Sequence, residues 1–409
     1  MSNLRATPGS QTSLREANRG RIVDAVKHHG GLTQVELAGV TGLSPATVSN
    51  IVKELSASGV LHTTPTSRSG RRAQHVTLAH ALGLVAGIHI SARHMWVALS
   101  DVANVVVAEH HMPLAKDHRA DNELDRAARM IADMLESVEA SFDDILAVGI
   151  ALPAPIRSDN GRIARTGLLR GWDGLPIADL MARRTMRPVF VDNDANLGAL
   201  AELHSGAARG KESALYVDVS HGIGAGLILN GRVYRGHSRG AGEFGHVTIV
   251  ENGPLCRCGN RGCLEALAGG PAILESVRAT AGAIKLQDVV IRALTGDPHC
   301  IRAIADAGRH IGIAVAGICN LLDPEHVVIG GDLGKAGELL LGPLRHSMER
   351  SVLWEPNELP DVVQGQLGER AALMGAIMYA VERATIRGDD VDARSVGLSQ
   401  SAMSQLRKA

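Results

Sequence analysis

One stretch leaves this chain little freedom in how it folds. Gly242-Glu243-Phe244-Gly245-His246 is followed, nine residues later, by Cys256-Arg257-Cys258-Gly259-Asn260-Arg261-Gly262-Cys263-Leu264-Glu265. Three thiols this close do not suit disulfides in a reducing compartment. Three thiolates and one imidazole do complete a tetrahedral zinc set, so His246, Cys256, Cys258 and Cys263 are the expected ligands. Gly259 and Gly262 let the loop turn tightly enough for the sulfurs to converge. Four protein ligands leave no open position, so the ion is expected to be structural, one per chain. The alternative is a set of buried side chains with no metal. Cys300 and Cys319, each alone on an apolar helical stretch, read as core residues.

The charge pattern divides the chain. The whole carries −1, but residues 1–81 hold nine Lys and Arg against four acids, a balance of +5 that leaves −6 for the rest. A basic N-terminal fifth on an acidic body points to nucleic acid. The length of 409 residues predicts two to three domains. With aromatics at 2%, the cores must be built from Ala, Val, Ile and Leu. Ile311 to Leu322, the longest uncharged apolar run, is too short for a bilayer, and residues 1–10 carry no hydrophobic stretch. A soluble, cytoplasmic protein without membrane contact is expected.

Within the basic part, Leu14 to His29 reads as a helix ended by Gly30-Gly31. Thr33-Gln34-Val35-Glu36 is a capping box opening a short helix that stops at Gly42. Ser44 offers a second N-cap, with Pro45 where a helix tolerates it. Val48, Ile51, Val52 and Leu55 then form an apolar stripe, leaving Ala46, Thr47, Ser49, Asn50 and Lys53 outward. Two short helices joined by a glycine turn suit a helix-turn-helix whose second helix enters a major groove. Val60–Thr63 and Gln74–Leu78 read as the strands of a wing, joined by a loop carrying Arg68, Gly70, Arg71 and Arg72. Ser44, Thr47, Ser49, Asn50 and Lys53 are the candidate groove contacts; Arg71 and Arg72 are the candidate wing contacts. The competing reading is a three-helix interaction module with solvated charges.

Beyond Leu82, strand-like runs (Leu84–Ile90, Met95–Leu99, Val105–Ala108, Ile145–Leu152, Val189–Val191, Ala214–Val219, Val327–Ile329) alternate with helical stretches such as Asp121–Ala140. This alternation predicts an α/β body of two lobes around a cleft. Asp192-Asn193-Asp194 ends a strand where open α/β sheets bind ligands, or else serves as an ordinary N-cap. Gly222–Gly226 and Gly330–Gly334 either cradle phosphate or mark tight turns.

Together these elements, with Pro153-Ala154-Pro155 and Gly171-Trp172, resemble the ROK family, which groups bacterial sugar kinases with sugar-responsive transcriptional repressors. The resemblance implies an N-terminal winged helix-turn-helix followed by an actin-like, two-lobed α/β sugar kinase body. The expected boundaries are 1–80 for the DNA-binding domain, 82–195 for the first lobe, 196–385 for the second lobe with the zinc loop and a closing C-terminal helix, and 386–409 for a mobile tail. It also implies sugar or sugar-phosphate contacts at Asn193, Asp194, Glu243, His246, Glu265 and Thr166, and places Asp194 at the position of the kinase general base. Carboxylates there are expected to be ionised and to bond sugar hydroxyls directly.

The phosphate loop departs from the family pattern. His89 stands where the kinases place an acid, and Ser91 and Ala92 stand in place of glycines. Ser220-His221 likewise replaces Gly-Thr before the second glycine run. The sequence therefore predicts a non-enzymatic repressor of carbohydrate genes that binds operator DNA as a homodimer, with tetramers as a further option. The alternative is an active hexose kinase fused to a DNA-binding module.

Overall fold

Three β-sheets, one small and two of five strands, organise the described residues. The computed structural model describes residues 11–385 except 69–70, 80–81, 116, 158–160, 164–168, 354 and 356–357. Thr166 and the 386–409 tail lie outside the described residues.

The N-terminal module runs α1 (Gln11–His29), β1 (Leu32–Thr33), α2 (Gln34–Thr41), α3 (Pro45–Ala57), β2 (Leu61–Arg68) and β3 (Arg71–Leu78). Its helix ends follow from side-chain chemistry. Thr33 accepts from the Glu36 N–H while the Glu36 carboxylate accepts from the Thr33 N–H at 2.7 Å. Gly42, at φ 67, closes α2, and Ser44 caps α3. Val48, Ile51, Val52 and Leu55 are buried with Ile22 and Val26 of α1 and Leu37 of α2, as the stripe predicts. The wing corrects the sequence reading: its pairing continues in register from Leu61↔Leu78 to Arg68↔Arg71. Arg68, Arg71 and Arg72 therefore stand on strands, not on a connecting loop. Pro65 hides this from the sequence, yet β2 is the edge of the β1-β3-β2 sheet, where a residue without an N–H is tolerated.

The first lobe contains β4 (Leu84–Ile90), β5 (His94–Asp101), β6 (Val106–Pro113), α4 (Ala120–Ser137), β7 (Ile145–Leu152), α5 (Ile177–Thr185) and β8 (Val189–Asn193). Then comes α6 (Asp194–Ser205). The second sheet comprises β9 (Ala214–Val219), β10 (Ile223–Leu229), β11 (Arg232–Tyr234), β12 (His326–Gly330) and β13 (Asp361–Gln364). Between its strands lie α7 (Leu264–Ala268), α8 (Gly270–Ala281), α9 (Leu286–Leu294), α10 (Pro298–Leu322), α11 (Gly331–Gly334) and α12 (Glu338–Glu349); α13 (Ala371–Arg383) follows β13. The two large sheets share one plan. Orders β6-β5-β4-β7-β8 and β11-β10-β9-β12-β13 each join an antiparallel meander to two parallel strands. This is the expected two-lobed α/β body.

Two placements differ from the sequence reading. Gly222–Gly226 is mostly strand β10, not a loop, and its glycines admit a helix: a Cβ on Gly226 would stand 2.6 Å from the Ala195 carbonyl oxygen of α6. The helix α13, grouped by sequence with the second lobe, packs on α6 and also across β4 and β7 of the first lobe. Gly149 makes that approach possible, since a Cβ there would stand 1.9 Å from the Ala376 carbonyl oxygen. Leu373, Ile377 and Ala380 of α13 bury against Val85, Ala98 and Ala147 and share one apolar cluster with Ile22, Leu37 and Val52. The N-terminal module and the first lobe thus have a continuous core. No helix among the described residues is long and apolar enough to cross a membrane.

Candidate functional site

The outer surface of α3 is polar. Ser49, Asn50 and Lys53 are exposed, opposite the buried stripe. Ser44 and Thr47, also candidates, are engaged with each other: Ser44 Oγ lies 2.8 Å from Thr47 Oγ1 and accepts from the Thr47 N–H at 3.1 Å. They fix the start of the helix as well as facing outward. Arg15 and Arg19 of α1 hold Glu54 of α3 at 2.6 and 3.0 Å, and the Arg15 hydrogen bond lowers the Glu54 pKa. This pairing orients α1 against α3.

Between β11 and α7 the chain folds into a thiol-rich knot. Its turns are closed by backbone bonds from Cys256 N–H to Asn260 O and from Gly259 N–H to Cys256 O. Gly262, at φ +64, is required there, because a Cβ would stand 1.5 Å from the Val250 carbonyl oxygen. The knot brings His246, Cys256, Cys258 and Cys263 together, all four ligand atoms lying within 4.8 Å of one another. Cys256 Sγ is 3.6 Å from His246 Nδ1, and Cys258 Sγ is 3.7 Å from Cys263 Sγ. Tetrahedral bonds of about 2.1–2.3 Å give ligand separations of about 3.4–3.8 Å, so this set fits a metal ion. Burial and the neighbouring thiols push Cys263 up to about 12. A bound divalent ion would displace those protons.

The knot also sets the position of Glu265. Cys263 is the N-cap residue of α7, and α7 carries the buried Glu265. Glu265 is held by a residue the sequence reading passed over: Arg257 donates through Nε at 2.6 Å and through its terminal nitrogen at 3.0 Å, while the Ile223 N–H donates at 3.1 Å. Arg257 lies between Cys256 and Cys258, and only its bulk and charge in that tight loop could have signalled the role. At the end of β8, Asn193 does serve as N-cap, accepting from Ala195 N–H and Asn196 N–H. Its Nδ2 donates to the Ala154 carbonyl at 3.3 Å, which ties β8 to the Pro153–Pro155 turn.

Asp194, Glu243 and Glu265 are electrostatic neighbours. Desolvation, followed by the charges of Asp218 and Glu243, pushes Asp194 up to about 7. Burial and then Glu265 raise Glu243, opposed by Arg257. The expectation of fully ionised carboxylates is thereby corrected at Asp194, which at neutral pH is near half protonation and can donate as well as accept. Between its ordinary value of 3.8 and about 7, folded Asp194 keeps a proton that the unfolded chain releases. It therefore costs stability as pH rises through that window. Asp194→Asn is expected to raise the melting temperature at alkaline pH, by about 2–4 °C for each kcal/mol relieved. The gain should vanish below the ordinary carboxylate range, which thermal scans across pH will check.

Residues 85–383 match the sequence profile of the ROK family, and residues 15–61 match that of winged helix-turn-helix DNA-binding domains. The chain belongs to the ROK family. It is 27% identical to the xylose repressor of Bacillus subtilis over 374 residues, covering 91% of this chain and 97% of that protein. Among solved structures, a ROK family transcriptional regulator, a homologue of the Escherichia coli MLC protein, is 25% identical, with a TM-score of 0.73 over 97% of this chain and all of the other. A ROK family glucokinase from Streptomyces griseus, in complex with glucose and AMPPNP, is 27% identical. Its TM-score is 0.66, covering 73% of this ROK protein and 99% of the kinase.

The hairpin from His89 to His94 closes on itself. Ser91 Oγ donates to the His94 carbonyl at 3.0 Å and accepts from the Arg93 and His94 N–H groups, while the Ser91 N–H donates to the same carbonyl at 2.9 Å. Burial, and then His94, lower the pKa of His89 to about 4, so its imidazole is neutral near pH 7. On the opposite lobe Gly331 follows from packing: a Cβ would stand 2.6 Å from Ser220 Oγ and 2.7 Å from Val219. Two adjacent residues before α13 then join the lobes, Arg370 pairing with Glu109 of β6 and Glu369 with Lys335 beside α11.

Proposed function

We propose that this ROK protein is a sugar-responsive transcriptional repressor of carbohydrate genes. The winged module would bind operator DNA, with Ser49 and Asn50 of α3 on base edges in the major groove, Lys53 on a phosphate at the groove's edge, and Ser44 and Thr47 at the helix's leading end. Arg71 and Arg72, on β3, would follow the backbone beside it. A homodimer, or a pair of dimers, would match two operator half-sites to a two-fold axis. A sugar or sugar phosphate would lie between the lobes against Asn193, Asp194, Glu243, His246 and Glu265, with Thr166 as a further contact.

The Cys3His knot would hold one structural zinc ion, which supplies rigidity and no reaction step. His246 would give Nδ1 to the metal and its other face to the sugar, while Arg257 fixes the direction of Glu265. Closure of the lobes releases DNA only if the effector prefers the closed arrangement, which typically means about 1–3 kcal/mol of coupling.

One observation carries the choice of repressor over kinase: the sugar-side carboxylates stand together, while the phosphate-side hairpin spends its N–H groups on the hydroxyl and carbonyl of its own turn. Phosphoryl transfer needs free donors and a metal-binding acid there, and neutral His89 supplies neither. The kinase reading draws on Asp194, whose value near 7 suits a general base. Gel-shift titration of upstream DNA with xylose, glucose, N-acetylated hexoses and their phosphates tests the proposal: release by one of them supports it, and unchanged affinity with all of them overturns it. ADP release with Mg²⁺-ATP and the same sugars is expected to stay at background; sustained turnover would favour the kinase.

Lys53→Ala is expected to weaken operator and non-operator DNA alike and to reduce the salt slope by about 1, as loss of one phosphate contact should. Asn50→Ala should cost about 1–3 kcal/mol on operator alone. Binding isotherms at several salt concentrations will separate the two.

A further inference from the structure

Where the DNA-binding module meets the body, three side chains from distant parts of the chain converge: His28 of α1, His204 of α6 and Glu382 of α13. One ligand atom from each lies within 4.8 Å of the others. His28 Nδ1 is 2.9 Å from Glu382 Oε1, and His204 Nε2 is 3.6 Å from the same oxygen. The His204 side chain is only 2% exposed, yet neither of its ring nitrogens has a hydrogen-bond partner within the described structure. A buried imidazole aimed at a carboxylate, just beyond bonding distance, is costly unless something bridges the gap.

We propose that His28, His204 and Glu382 form a second divalent-metal site, separate from the Cys3His knot, which clamps the DNA-binding module to the body. Two imidazoles and one carboxylate are the donor set of zinc, cobalt or nickel rather than of magnesium or calcium. His28 and Glu382 also line a cavity of about 560 Å³ bordered by Arg21, His29 and Arg232. A fourth coordination position would open into it for water or an anionic ligand. Lys27, which donates to the Ala384 carbonyl, keeps a cation close by. Because α6 begins at Asp194 in the cleft and ends beside His204, the clamp grips the far end of the helix that carries a proposed effector contact.

Protein whose Cys3His knot has been loaded with Zn²⁺ is titrated with Co²⁺. The expected result is one further equivalent bound per chain, with weak visible d–d absorption and no thiolate charge-transfer band. That equivalent should be lost in His204→Gln and in Glu382→Gln, with hydrogen exchange in α1 slowed by Co²⁺ in the parent only. His28→Ala, whose side chain is 27% exposed, gives a variant whose folding is less at risk. No second equivalent, a thiolate band accompanying it, or equal uptake by the parent and all three variants would overturn the proposal. Because metal uptake is read without DNA or sugar, this result is independent of the repressor reading.

Discussion

Cys258→Ser is expected to strip the knot of its metal and to raise the sugar concentration needed for DNA release by about tenfold or more. Cys258 Sγ lies 3.7 Å from Cys263 Sγ, and a serine oxygen is a poor replacement in a thiolate set. Structural zinc contributes about 10–16 kcal/mol of apparent binding energy in small peptide sites, all of it available to local folding. Without it, the turns that place Cys263 at the start of α7 lose their anchor, and Glu265 with them. The loss should stay local: the N-terminal module has its own apolar stripe and caps, so operator binding without sugar should be near normal. Metal analysis of freshly purified protein and gel shifts with and without effector will check both halves. A variant that keeps its sugar response after losing the metal would detach the knot from the cleft.

Glu265→Gln is expected to give a repressor that holds DNA at sugar concentrations that release the parent. Glu265 accepts two bonds from Arg257 and one from Ile223 N–H, so its carboxylate is fixed before any ligand arrives. Hydrogen bonds to charged groups contribute about 1.5–3 kcal/mol, and each 1.4 kcal/mol is a factor of ten in affinity. Neutralising the carboxylate should therefore weaken effector binding by about 10–100-fold. Arg257→Gln should fall between parent and Glu265→Gln, because it frees the carboxylate without removing it. Calorimetric titration with the releasing sugar gives the order directly, and equal affinities for all three proteins would exclude Glu265 from the contact set.

The features legible in the sequence share a physical property: each is fixed by residues close together along the chain. The Thr33–Glu36 box, the Gly42 turn and the Ser44 cap are interactions across three or four residues, and the structure has all of them. The Cys256–Cys263 spacing is similarly local, with His246 the one distant ligand. Much of what the sequence does not reveal depends on partners far away, with the Arg257–Glu265 pair a local exception. Gly222–Gly226 reads as a loop because nothing nearby says that α6 will press against it, and only then is a strand bare on the face of Gly224 and Gly226 the right solution. The Arg257–Glu265 pair was hidden by the cysteines around it. The raised pKa of Asp194 needs burial first and then Asp218 and Glu243, which come from other elements and have no sequence period linking them.

The shared core of the N-terminal module and α13 has a thermodynamic corollary. Because Ile22, Leu37 and Val52 bury in the same cluster as Leu373 and Ile377, the recognition helix is pre-aimed and not swung on a slack tether. Docking on a duplex then forfeits little freedom, which favours affinity at a given number of contacts. The same rigidity restricts how an inducer can act: it cannot release DNA by letting the reading head go limp, and must instead turn head and first lobe as one piece.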